Sequence, residues 1–438
     1  MSNTERRNFL KTSAVGALGW TLASRTICAA AANERIVVGL IGSGGMGSDH
    51  LSLLASRPDV EVAYVCDVDR NRLETAARAV QSATGNAPMA VTDLRRVLDA
   101  RDVDAVFIAT PDHWHAPASI LALDAGKHVY VEKPCCHNIR EGRLMADACK
   151  RTGKRLQVGT QSRSTPFVRE AIDRVLKGEI GEVLVAKAWN SQRRGSIGKA
   201  SPSEPPGHLD FDLWLGPAPV VPFRNNLLHS TWRWFHDFGC GDIGNDGVHD
   251  IDVALWGLGV DTDPSTAACL GGKYFFDDDQ EFPDTQYAVF EYPATDGRPR
   301  KRQLIFEQRI WSPYVQEGYE NGAAFYGADG LLILGHSVGW RLYGPKNELR
   351  AEGSGSADLT AHQQNFFDCI RDPAQELNAG VEAGVRAATI VHLANIAARL
   401  NRVLKFDPRS GHFPDDHEAN EMAGRKYRDH HWAAPRSG

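Results

Sequence analysis

The feature that most constrains the fold is a glycine-rich turn that directly follows a short apolar run. The run Ile36–Ile41 is continuously apolar, which is typical of a strand buried on both faces of a parallel sheet. The next six residues, Gly42-Ser43-Gly44-Gly45-Met46-Gly47, fit the pattern G-x-G-x-x-G and open a helical stretch. Strand, glycine turn and helix in this order predict a site where a helix N-terminus and its free N–H groups approach a pyrophosphate.

An acidic residue stands where such a site requires one. Asp67 lies 20 residues after Gly47, at the end of a second apolar run. At that spacing a carboxylate accepts hydrogen bonds from the ribose hydroxyls of a dinucleotide, and it would repel a 2′-phosphate. NAD is therefore favoured over NADP as the cofactor, although Arg70 and Arg72 are close enough in sequence to weaken that preference.

The alternation of apolar runs with helical stretches defines the fold class. Runs at 60–65, 105–109, 129–131 and 156–158 are separated by helical patterns at 73–80, 116–125 and 139–149. Strands that alternate with helices predict an α/β fold with a parallel sheet. We place this dinucleotide-binding domain of Rossmann type at residues 33–158.

The rest of the chain has a different pattern. Alternating or apolar runs at 287–292, 303–309, 323–326 and 331–334 predict strands of a largely antiparallel sheet, with flanking helices. We assign residues 159–408 to this second α/β domain and residues 409–438 to a polar C-terminal tail. A long irregular stretch at 191–241 is rich in Pro, Gly, Trp and His, and loops of that length are usually functional.

The N-terminus carries an export pattern. Arg6-Arg7 precedes an uncharged run from Thr12 to Ala23, and small residues follow at 29–32. The run is shorter than the ~20 residues that span a bilayer. The segment resembles a twin-arginine signal over residues 1–32, with Glu5 in place of the usual Ser or Thr; the alternatives are a basic tail or an uncleaved anchor. We expect a folded protein exported to the periplasm or another extracytoplasmic space, with no membrane span in the mature chain.

Composition excludes several other functions. The net charge of −6 argues against a nucleic-acid partner, which would require a basic face. None of the eight cysteines belongs to a C-x-x-C pair, so neither a zinc ribbon nor a redox dithiol is indicated. His113 and His115 flank Trp114 without a third ligand at suitable spacing, and we expect no metal site.

Three later motifs complete a recognisable set with the glycine turn. The third strand is followed by Thr110-Pro111-Asp112-His113-Trp114-His115, and the fourth by Glu132-Lys133-Pro134. The last motif lies in the second domain and reads Gly241-Asp242-Ile243-Gly244-Asn245-Asp246-Gly247-Val248-His249-Asp250-Ile251-Asp252. Together these motifs resemble the Gfo/Idh/MocA family of oxidoreductases, from Ile36 to about Pro408. The resemblance implies a Rossmann domain followed by an α/β domain with an open sheet, which commonly packs against another subunit, so a homo-oligomer is expected.

The resemblance also implies roles for individual residues. Lys133 would lie beside the nicotinamide and polarise the substrate oxygen, and His249 would be the general base. The family aspartate of this motif is replaced by Asn245, which can still hydrogen-bond substrate or His249 and is the third catalytic candidate. Asp252 could orient His249. Asp246 is one helical step away, a rotation of roughly 100°, and cannot be assumed to substitute. Besides the glycine turn and Asp67, the expected cofactor contacts are Thr110, Pro111, His115, Glu132 and Lys133.

Aromatic residues in the long stretch suggest the substrate class. Trp232 and Trp234 have faces that suit the C–H faces of a sugar, and Asp246 could bind hydroxyl groups; ordinary packing is an equally good explanation for either tryptophan. The leading hypothesis is hydride transfer between NAD and a secondary alcohol of a sugar, glycoside or cyclitol. The second is redox-assisted, NAD-dependent glycoside cleavage, which export favours because it regenerates its own cofactor. The third is a non-catalytic sugar-binding protein, which only Asn245 supports.

Overall fold

The computed structural model describes residues 35–312 and 314–435. The predicted export signal, with Arg6 and Arg7, lies outside the described residues. Among the described helices, none combines the length and the apolar character that crossing a membrane requires.

The first half of the fold is a six-stranded parallel sheet. Its strands are β1 (Ile36–Ile41), β2 (Val60–Cys66), β3 (Met89–Val91), β4 (Ala105–Ile108), β5 (His128–Val131) and β6 (Leu156–Val158). Its helices are α1 (Gly45–Ser56), α2 (Arg70–Thr84), α3 (Arg95–Leu98), α4 (Asp112–Asp124) and α5 (Ile139–Thr152). The order β3-β2-β1-β4-β5-β6, with every pair parallel, is that of a Rossmann fold. The strand order reverses between β1 and β4, where ligands of such sheets bind.

Helix α4 begins earlier than the sequence pattern predicted. It starts at Asp112 rather than at 116, because an acidic residue in the first turn suits the positive end of the helix and Pro111 ends the preceding extended segment. His113 and His115, predicted to lie on a loop, are therefore buried within the helix. Pro117 is accommodated inside the same helix.

The second half is a nine-stranded sheet that is almost entirely antiparallel. Its strands are β7 (Val183–Asn190), β8 (Thr266–Gly272), β9 (Thr285–Tyr292), β10 (Arg302–Arg309), β11 (Asn321–Gly327), β12 (Leu331–Gly335), β13 (Gly339–Tyr343), β14 (Leu349–Ser354) and β15 (Leu404–Lys405). The order is β14-β13-β12-β11-β7-β10-β9-β8-β15, and among these described pairs only β7 and β10 run parallel. The predicted fold class is confirmed: a parallel Rossmann sheet followed by a large, mostly antiparallel sheet.

One face of the large sheet is covered by helices and the other is open. Helices α6 (Pro166–Leu176), α8 (Val248–Leu258) and α10 (Val381–Leu400) pack on the covered face and share one hydrophobic core with it. On β8 and β9, Leu270, Tyr287 and Val289 are exposed. A further short helix, α7 (Phe211–Leu215), lies within the long irregular stretch.

The C-terminal segments return to the Rossmann sheet. In α9 (Leu359–Arg371), Phe366 and Phe367 share a core with Phe107 of β4 and Tyr130 of β5. After α11 (His417–Met422), Trp432 reaches the edge of the cleft between the two sheets. These contacts bury apolar surface of the Rossmann sheet under residues that are distant in sequence.

Candidate active site

The glycine turn at the start of α1 is shaped for a close backbone approach. Gly42 has a φ of +89°, and a Cβ added there would lie 2.6 Å from the carbonyl oxygen of Ala109. A Cβ on Gly47 would collide with the carbonyl oxygen of Gly42. By contrast, no atom lies within 4 Å of the position a Cβ would take on Gly45, which faces the cleft. Two glycines are thus required by packing, and the third leaves room for a ligand.

The N-terminus of α1 provides hydrogen-bond donors for an anion. Gly44 is the N-cap, and among the described residues no side chain caps the helix and no acidic residue occupies its first turn. The guanidinium of Arg72, from α2, lies directly beside Gly44. Free N–H groups, a positive helix end and a nearby guanidinium fit the pyrophosphate of a dinucleotide.

Asp67 connects the turn to the end of β2. Its Oδ2 accepts hydrogen bonds from Ser43 N at 2.8 Å and Ser43 Oγ at 2.9 Å, and its Oδ1 accepts one from Asp69 N at 2.9 Å. A carboxylate has about four acceptor sites, so these three bonds leave capacity for a ribose hydroxyl. Arg70 is held by the carbonyl oxygen of Gly207, whereas Arg72 lines the cleft.

The long stretch crosses over the adenosine side of the cleft. We call residues 207–215 the strap. Arg70 N donates to His208 O at 3.0 Å, and Asp210 N donates to Val68 O at 2.9 Å. Leu209, Leu213 and Trp214 of the strap line the cleft. The strap is thus hydrogen-bonded to the segment that follows β2, along one side of the cleft.

Further side chains reinforce this cover. His229 Nε2 lies 3.0 Å from the carboxylate of Asp69. Trp432 from the C-terminal tail also lines the cleft and packs on Trp114, with ring centroids 5.8 Å apart. The volume of the cleft, about 430 Å³, lies within the usual range for small-molecule sites.

His115 ties together the two loops that flank the nicotinamide end. Its ring nitrogens lie 2.7 Å from the carbonyl oxygen of Pro134 and 2.8 Å from that of Thr110. Thr110, Pro111 and His115, to which the resemblance assigns cofactor contacts, all line the cleft. His113 instead bonds the carbonyl oxygen of Trp214 at 2.9 Å, and burial lowers the pKa of His113 to about 3, so it stays neutral.

Glu132 stabilises the loop that follows β5 and carries Lys133. Its Oε1 lies 2.9 Å from His50 Nε2, and Gln363 Nε2 lies 2.9 Å from the other ring nitrogen of His50. Burial alone would raise the pKa of Glu132, but the hydrogen bond from His50 and the charges of His50, Lys133 and His115 together outweigh it, and the pKa is lowered. Glu132 is therefore an anion that orients the residue after it.

Lys133 joins the two domains at the chemical end of the cleft. Its Nζ donates to the backbone carbonyl oxygen of Asn245 at 2.6 Å. The side chain of Asn245 accepts from Arg233 Nε at 2.8 Å and donates to Asp242 at 3.1 Å. Lys133, Asn245 and Arg233 line the cleft. Asn245 is thus engaged with Arg233 and Asp242 rather than with His249.

A partly buried charge cluster lies beside Asn245, around the wide π-helical turn Ile243–Gly247 that precedes α8. Arg194 donates to Asp242 at 2.9 Å and also pairs with Asp246. Burial alone would raise the pKa of Asp246, but the positive charges of Lys133 and Arg194 lower it. Asp246, predicted to bind substrate, is therefore occupied by an arginine, and it is not among the residues that line the cavity.

His249 is buried and is not among the residues that line the cavity, and its predicted partner bonds another side chain. Asp252, expected to orient His249, is held by two hydrogen bonds from Arg163 at 2.7 and 2.8 Å. Asp252 is therefore engaged with Arg163, and among the described residues no hydrogen bond joins it to His249. Burial lowers the pKa of His249 well below its ordinary value, and the charge of Lys133 adds to the effect.

A second histidine contacts His249. The rings of His249 and His336 meet edge to face, with centroids 5.0 Å apart, and His336 Nδ1 lies 3.0 Å from Asp250 Oδ1. The sequence patterns did not single out His336, because it follows a short strand and its partner is 86 residues away. Arg194 was likewise not singled out, because its partners Asp242 and Asp246 lie 48 and 52 residues away.

The two candidate tryptophans differ in position. Trp232 lines the cleft, and the guanidinium of Arg233 lies 4.3 Å from its ring centroid. Trp234 is buried and is absent from the cavity lining, so it serves packing. Within residues 35–312 and 314–435, no group of three His, Cys, Asp or Glu side chains is placed to hold a metal ion.

Comparison with known proteins agrees with this architecture. Residues 36–160 match the model of an oxidoreductase family with an NAD-binding Rossmann fold. Residues 176–279 and 347–433 match the C-terminal α/β domain of the same family. The chain belongs to the Gfo/Idh/MocA family, and its first domain is an NAD-binding Rossmann domain. The predicted family and cofactor are confirmed.

Curated relatives match over part of the chain. A glycosyl hydrolase family 109 protein of Saccharopolyspora erythraea is 34% identical over 158 residues, which cover 35% of this chain and 34% of the relative. One from Shewanella baltica is 28% identical over 214 residues, covering 43% and 46%. The matches thus span between a third and a half of these relatives' length.

Solved structures share the whole fold. The WlbA dehydrogenase from Bordetella pertussis, in complex with NADH and UDP-GlcNAcA, superimposes with a TM-score of 0.64 at 18% identity, over 85% of this chain and 99% of that chain. An aldose-aldose oxidoreductase from Caulobacter crescentus, complexed with glycerol, gives 0.63 at 17% identity, over 85% and 100%. At these identities the likeness establishes the fold alone.

Proposed function

We propose that the protein transfers hydride between bound NAD and a secondary alcohol of a sugar, glycoside or cyclitol. The observation that carries this proposal is the position of Lys133. Its ammonium group lies at the end of a cleft whose other end is the glycine turn, and it is fixed there by the carbonyl oxygen of Asn245 at 2.6 Å. A cation fixed beyond the phosphate site would act on an alcohol oxygen next to the nicotinamide.

The residues at this end can carry the acid–base part of the reaction. Bound NAD supplies the hydride acceptor for the carbinol C–H bond. The Lys133 ammonium would donate a hydrogen bond to the alcohol oxygen and stabilise the negative charge that develops on it. A histidine would take the hydroxyl proton, and the resemblance assigns that role to His249.

The substrate class is supported by the lining and by the structural neighbours. Trp232 offers an aromatic face, and Arg233 lies beside it with its Nε bonded to Asn245. WlbA was crystallised with UDP-GlcNAcA, and another neighbour of this fold is a levoglucosan dehydrogenase in complex with NADH. These proteins act on or bind sugar derivatives, which favours a carbohydrate ligand here.

The second candidate is redox-assisted glycoside cleavage, which the glycosyl hydrolase family 109 names favour. In such a cycle the ring alcohol is oxidised to a ketone, the ketone acidifies a neighbouring C–H bond, and elimination releases the aglycone. Water then adds to the enone, and the hydride returns from the cofactor to the ketone, so no net oxidant is consumed. The cover formed by the strap and Trp432 suits a cofactor that stays bound between the two half-reactions.

The test is product analysis on protein purified in its native state without added cofactor. We expect nicotinamide absorbance to survive extensive dialysis and turnover to proceed without added NAD. A keto-sugar formed in equal amount with reduced cofactor identifies a dehydrogenase. A free aglycone with no net cofactor reduction identifies the cleaving enzyme. Bound nicotinamide with neither product from a panel of sugars and glycosides would contradict both and favour a sugar-binding protein.

Two further expectations accompany this proposal. Export through Arg6-Arg7 predicts that the mature N-terminus, read by sequencing, begins near residue 33. The exposed apolar side chains on β8 and β9, Leu270, Tyr287 and Val289, support a homo-oligomer formed through the open sheet. Sedimentation equilibrium would detect it, and a monomer at micromolar concentration would contradict it.

A further inference from the structure

Arg233 lines the chemical end of the cleft with a guanidinium group that is only partly engaged. Its Nε donates to Asn245 Oδ1 at 2.8 Å, and its Nη1 donates to Ser230 O at 2.9 Å. Its Nη2 has no acceptor among the described residues and is not a buried atom. The ring centroid of the buried Trp232 lies 4.3 Å from Cζ of Arg233. Hydrogen bonds and a cation–π contact thus hold the guanidinium, and one edge of it remains available to a ligand.

The charge of this guanidinium has no hydrogen-bonded anion. The carboxylates whose charges act on Arg233 are those of Asp112, Asp242 and Asp246. None of them accepts a hydrogen bond from Arg233 in the described part of the chain. Asp242 and Asp246 are bonded to Arg194 instead. Burial raises the pKa of Asp112 and of Asp242 and so opposes their ionisation. A cation in such a site favours a ligand that brings its own negative charge.

Asn245 orients the guanidinium without neutralising it. Its Oδ1 accepts from Arg233, and its Nδ2 donates to Asp242 Oδ1 at 3.1 Å, so both ends of the amide are fixed. An aspartate, which the resemblance leads one to expect at this position, would accept the same hydrogen bond with a negative charge and form an ion pair. The amide therefore sets the direction of Arg233 and leaves its charge available.

The guanidinium borders the space in which Lys133 lies. Lys133 Nζ donates to the backbone carbonyl oxygen of Asn245 at 2.6 Å, whereas Arg233 Nε donates to the side-chain oxygen of the same residue. Because both oxygens belong to one residue, covalent geometry keeps the two cations close to each other. All three residues line the cleft. A small ring that carries a hydroxyl group and a carboxylate can therefore contact both cations at once.

We propose that Arg233 binds a carboxylate of the substrate, so that the substrate is a sugar acid rather than a neutral sugar. The inference rests on the proposed function for the ring alcohol, whereas the carboxylate contact requires binding alone. A carboxylate is the group that matches the planar fork of a guanidinium, because it accepts parallel N–H···O bonds. Lys133 then serves the alcohol, and Arg233 selects and orients the ring. No substrate bond forms or breaks at Arg233, which is a specificity-determining residue.

The first experiment measures binding and not turnover. Calorimetric titration of NAD-loaded protein uses methyl glucuronoside and methyl glucoside, which differ only in the carboxylate, and the corresponding pair of galactose derivatives. In at least one pair we expect the acid to bind roughly tenfold or more tightly than its neutral partner, the scale of a hydrogen bond to a charged group. Equal affinities in both pairs, tighter binding of the neutral glycosides, or no binding of either acid would overturn the proposal.

Variants assign the preference to the guanidinium. In Arg233→Gln the ratio of the two affinities should approach one, because the cation is lost. Arg233→Lys keeps the charge without the fork and should retain part of the preference. Arg224→Gln is the matched control, since Arg224 belongs to the same irregular stretch but lies 3.9 Å from Asp279 and outside the cleft lining. Nicotinamide absorbance after dialysis checks that each variant is folded. If Arg233→Gln loses NAD but keeps the preference, the guanidinium serves the cofactor and the proposal fails.

Asn245→Asp tests the same contact from the partner's side. The new carboxylate would pair with Arg233, so the affinity for the acid should fall a few-fold more than the affinity for the neutral glycoside. An unchanged ratio would contradict the role assigned to Asn245.

Two outcomes distinguish a failure of this inference from a failure of the proposed function. Acid-selective binding that depends on Arg233, without reduction of bound NAD, would contradict the proposed function and leave the carboxylate site in place. Reduction of bound NAD by neutral sugars, with no preference for the acids, would support the proposed function and overturn the carboxylate site.

Discussion

The two ends of the cleft are built in different ways. At the cofactor end, one short segment supplies most of the site: the turn 42–47 and Asp67 are joined by hydrogen bonds from Ser43 to the carboxylate. The chemical end is assembled from five separate segments of the chain. They supply Lys133, Arg194, Arg233, the turn that precedes α8, and His336. The cofactor end is thus shaped mainly by backbone geometry, and the chemical end is built from paired charges.

This difference explains why the two ends should respond differently to mutation. A backbone site fails when a Cβ occupies space that the chain or the ligand needs. A site of paired charges fails when one partner is removed and the other is left buried and uncompensated. Each of the following changes tests one side of this contrast.

Removing the cation at the chemical end should have the largest effect. Lys133→Ala should lower turnover by roughly 100-fold or more, because charge stabilisation of the oxygen in the transition state is lost. NAD should still bind, since the glycine turn is untouched, and its retention can be read from nicotinamide absorbance after dialysis. Lys133→Arg is the matched variant that keeps the charge but changes its position. Parent-like turnover in Lys133→Ala would contradict the proposed function, because that proposal depends on the position of Lys133.

A methyl group at the cofactor end should have the next largest effect. In Gly47→Ala the new Cβ would collide with the carbonyl oxygen of Gly42, so the turn must shift. Overpacking of this kind costs about 1–3 kcal/mol, and we expect NAD affinity to fall roughly 5- to 150-fold. Thermal unfolding should also occur at lower temperature. Calorimetric titration of cofactor-free protein measures the affinity.

Gly45→Ala is the matched control for that change. Nothing lies within 4 Å of its added Cβ, so the stability of the protein without cofactor should not change. If Gly45→Ala destabilises the protein as much as Gly47→Ala, the two glycines do not have the separate roles assigned to them.

The sequence predicted the residues of the cofactor end better than those of the chemical end. The turn, Asp67 and the strands around them could be predicted because strand, glycine and acid lie within 32 residues, from Ile36 to Asp67, and follow one local pattern. Lys133 and the region of His249 were found through the resemblance. The pairing of Asp252 with Arg163 could not be foreseen, because the arginine is 89 residues away. Strands β8 and β13 were missed because small residues and short length weaken their apolar pattern.

Asp67 tests the cofactor end at a side chain rather than at the backbone. Asp67→Ala removes the acceptor for Ser43 and Asp69, so the turn loosens and the ribose loses its partner. Hydrogen bonds to a charged group are worth about 1.5–3 kcal/mol, which predicts a loss of NAD affinity of roughly tenfold or more. Discrimination against NADP should relax, because the repelling carboxylate is gone while Arg72 remains. Equal affinity of the unmodified protein for both cofactors would show that Asp67 does not select between them.

Asn245→Asp should have the smallest effect, and it tests how separately the charge pairs act. The side chain at 245 faces Arg233 and Asp242, not His249, so restoring the family aspartate should change the pH profile of turnover only slightly. The new carboxylate would lie beside Asp242, whose pKa burial already raises. Two adjacent carboxylates resist joint ionisation, and Arg233 offsets only part of the repulsion.

The sign of the stability change follows from that repulsion. A carboxyl group whose pKa is raised in the folded state holds its proton more tightly there than in the unfolded chain. The variant should therefore lose stability relative to the parent as the pH rises through the interval between the two pKa values. Urea unfolding at acidic and neutral pH measures this difference. A large shift in the turnover profile without that stability change would mean that position 245 couples to the proton acceptor, and that the charge pairs at the chemical end do not act separately.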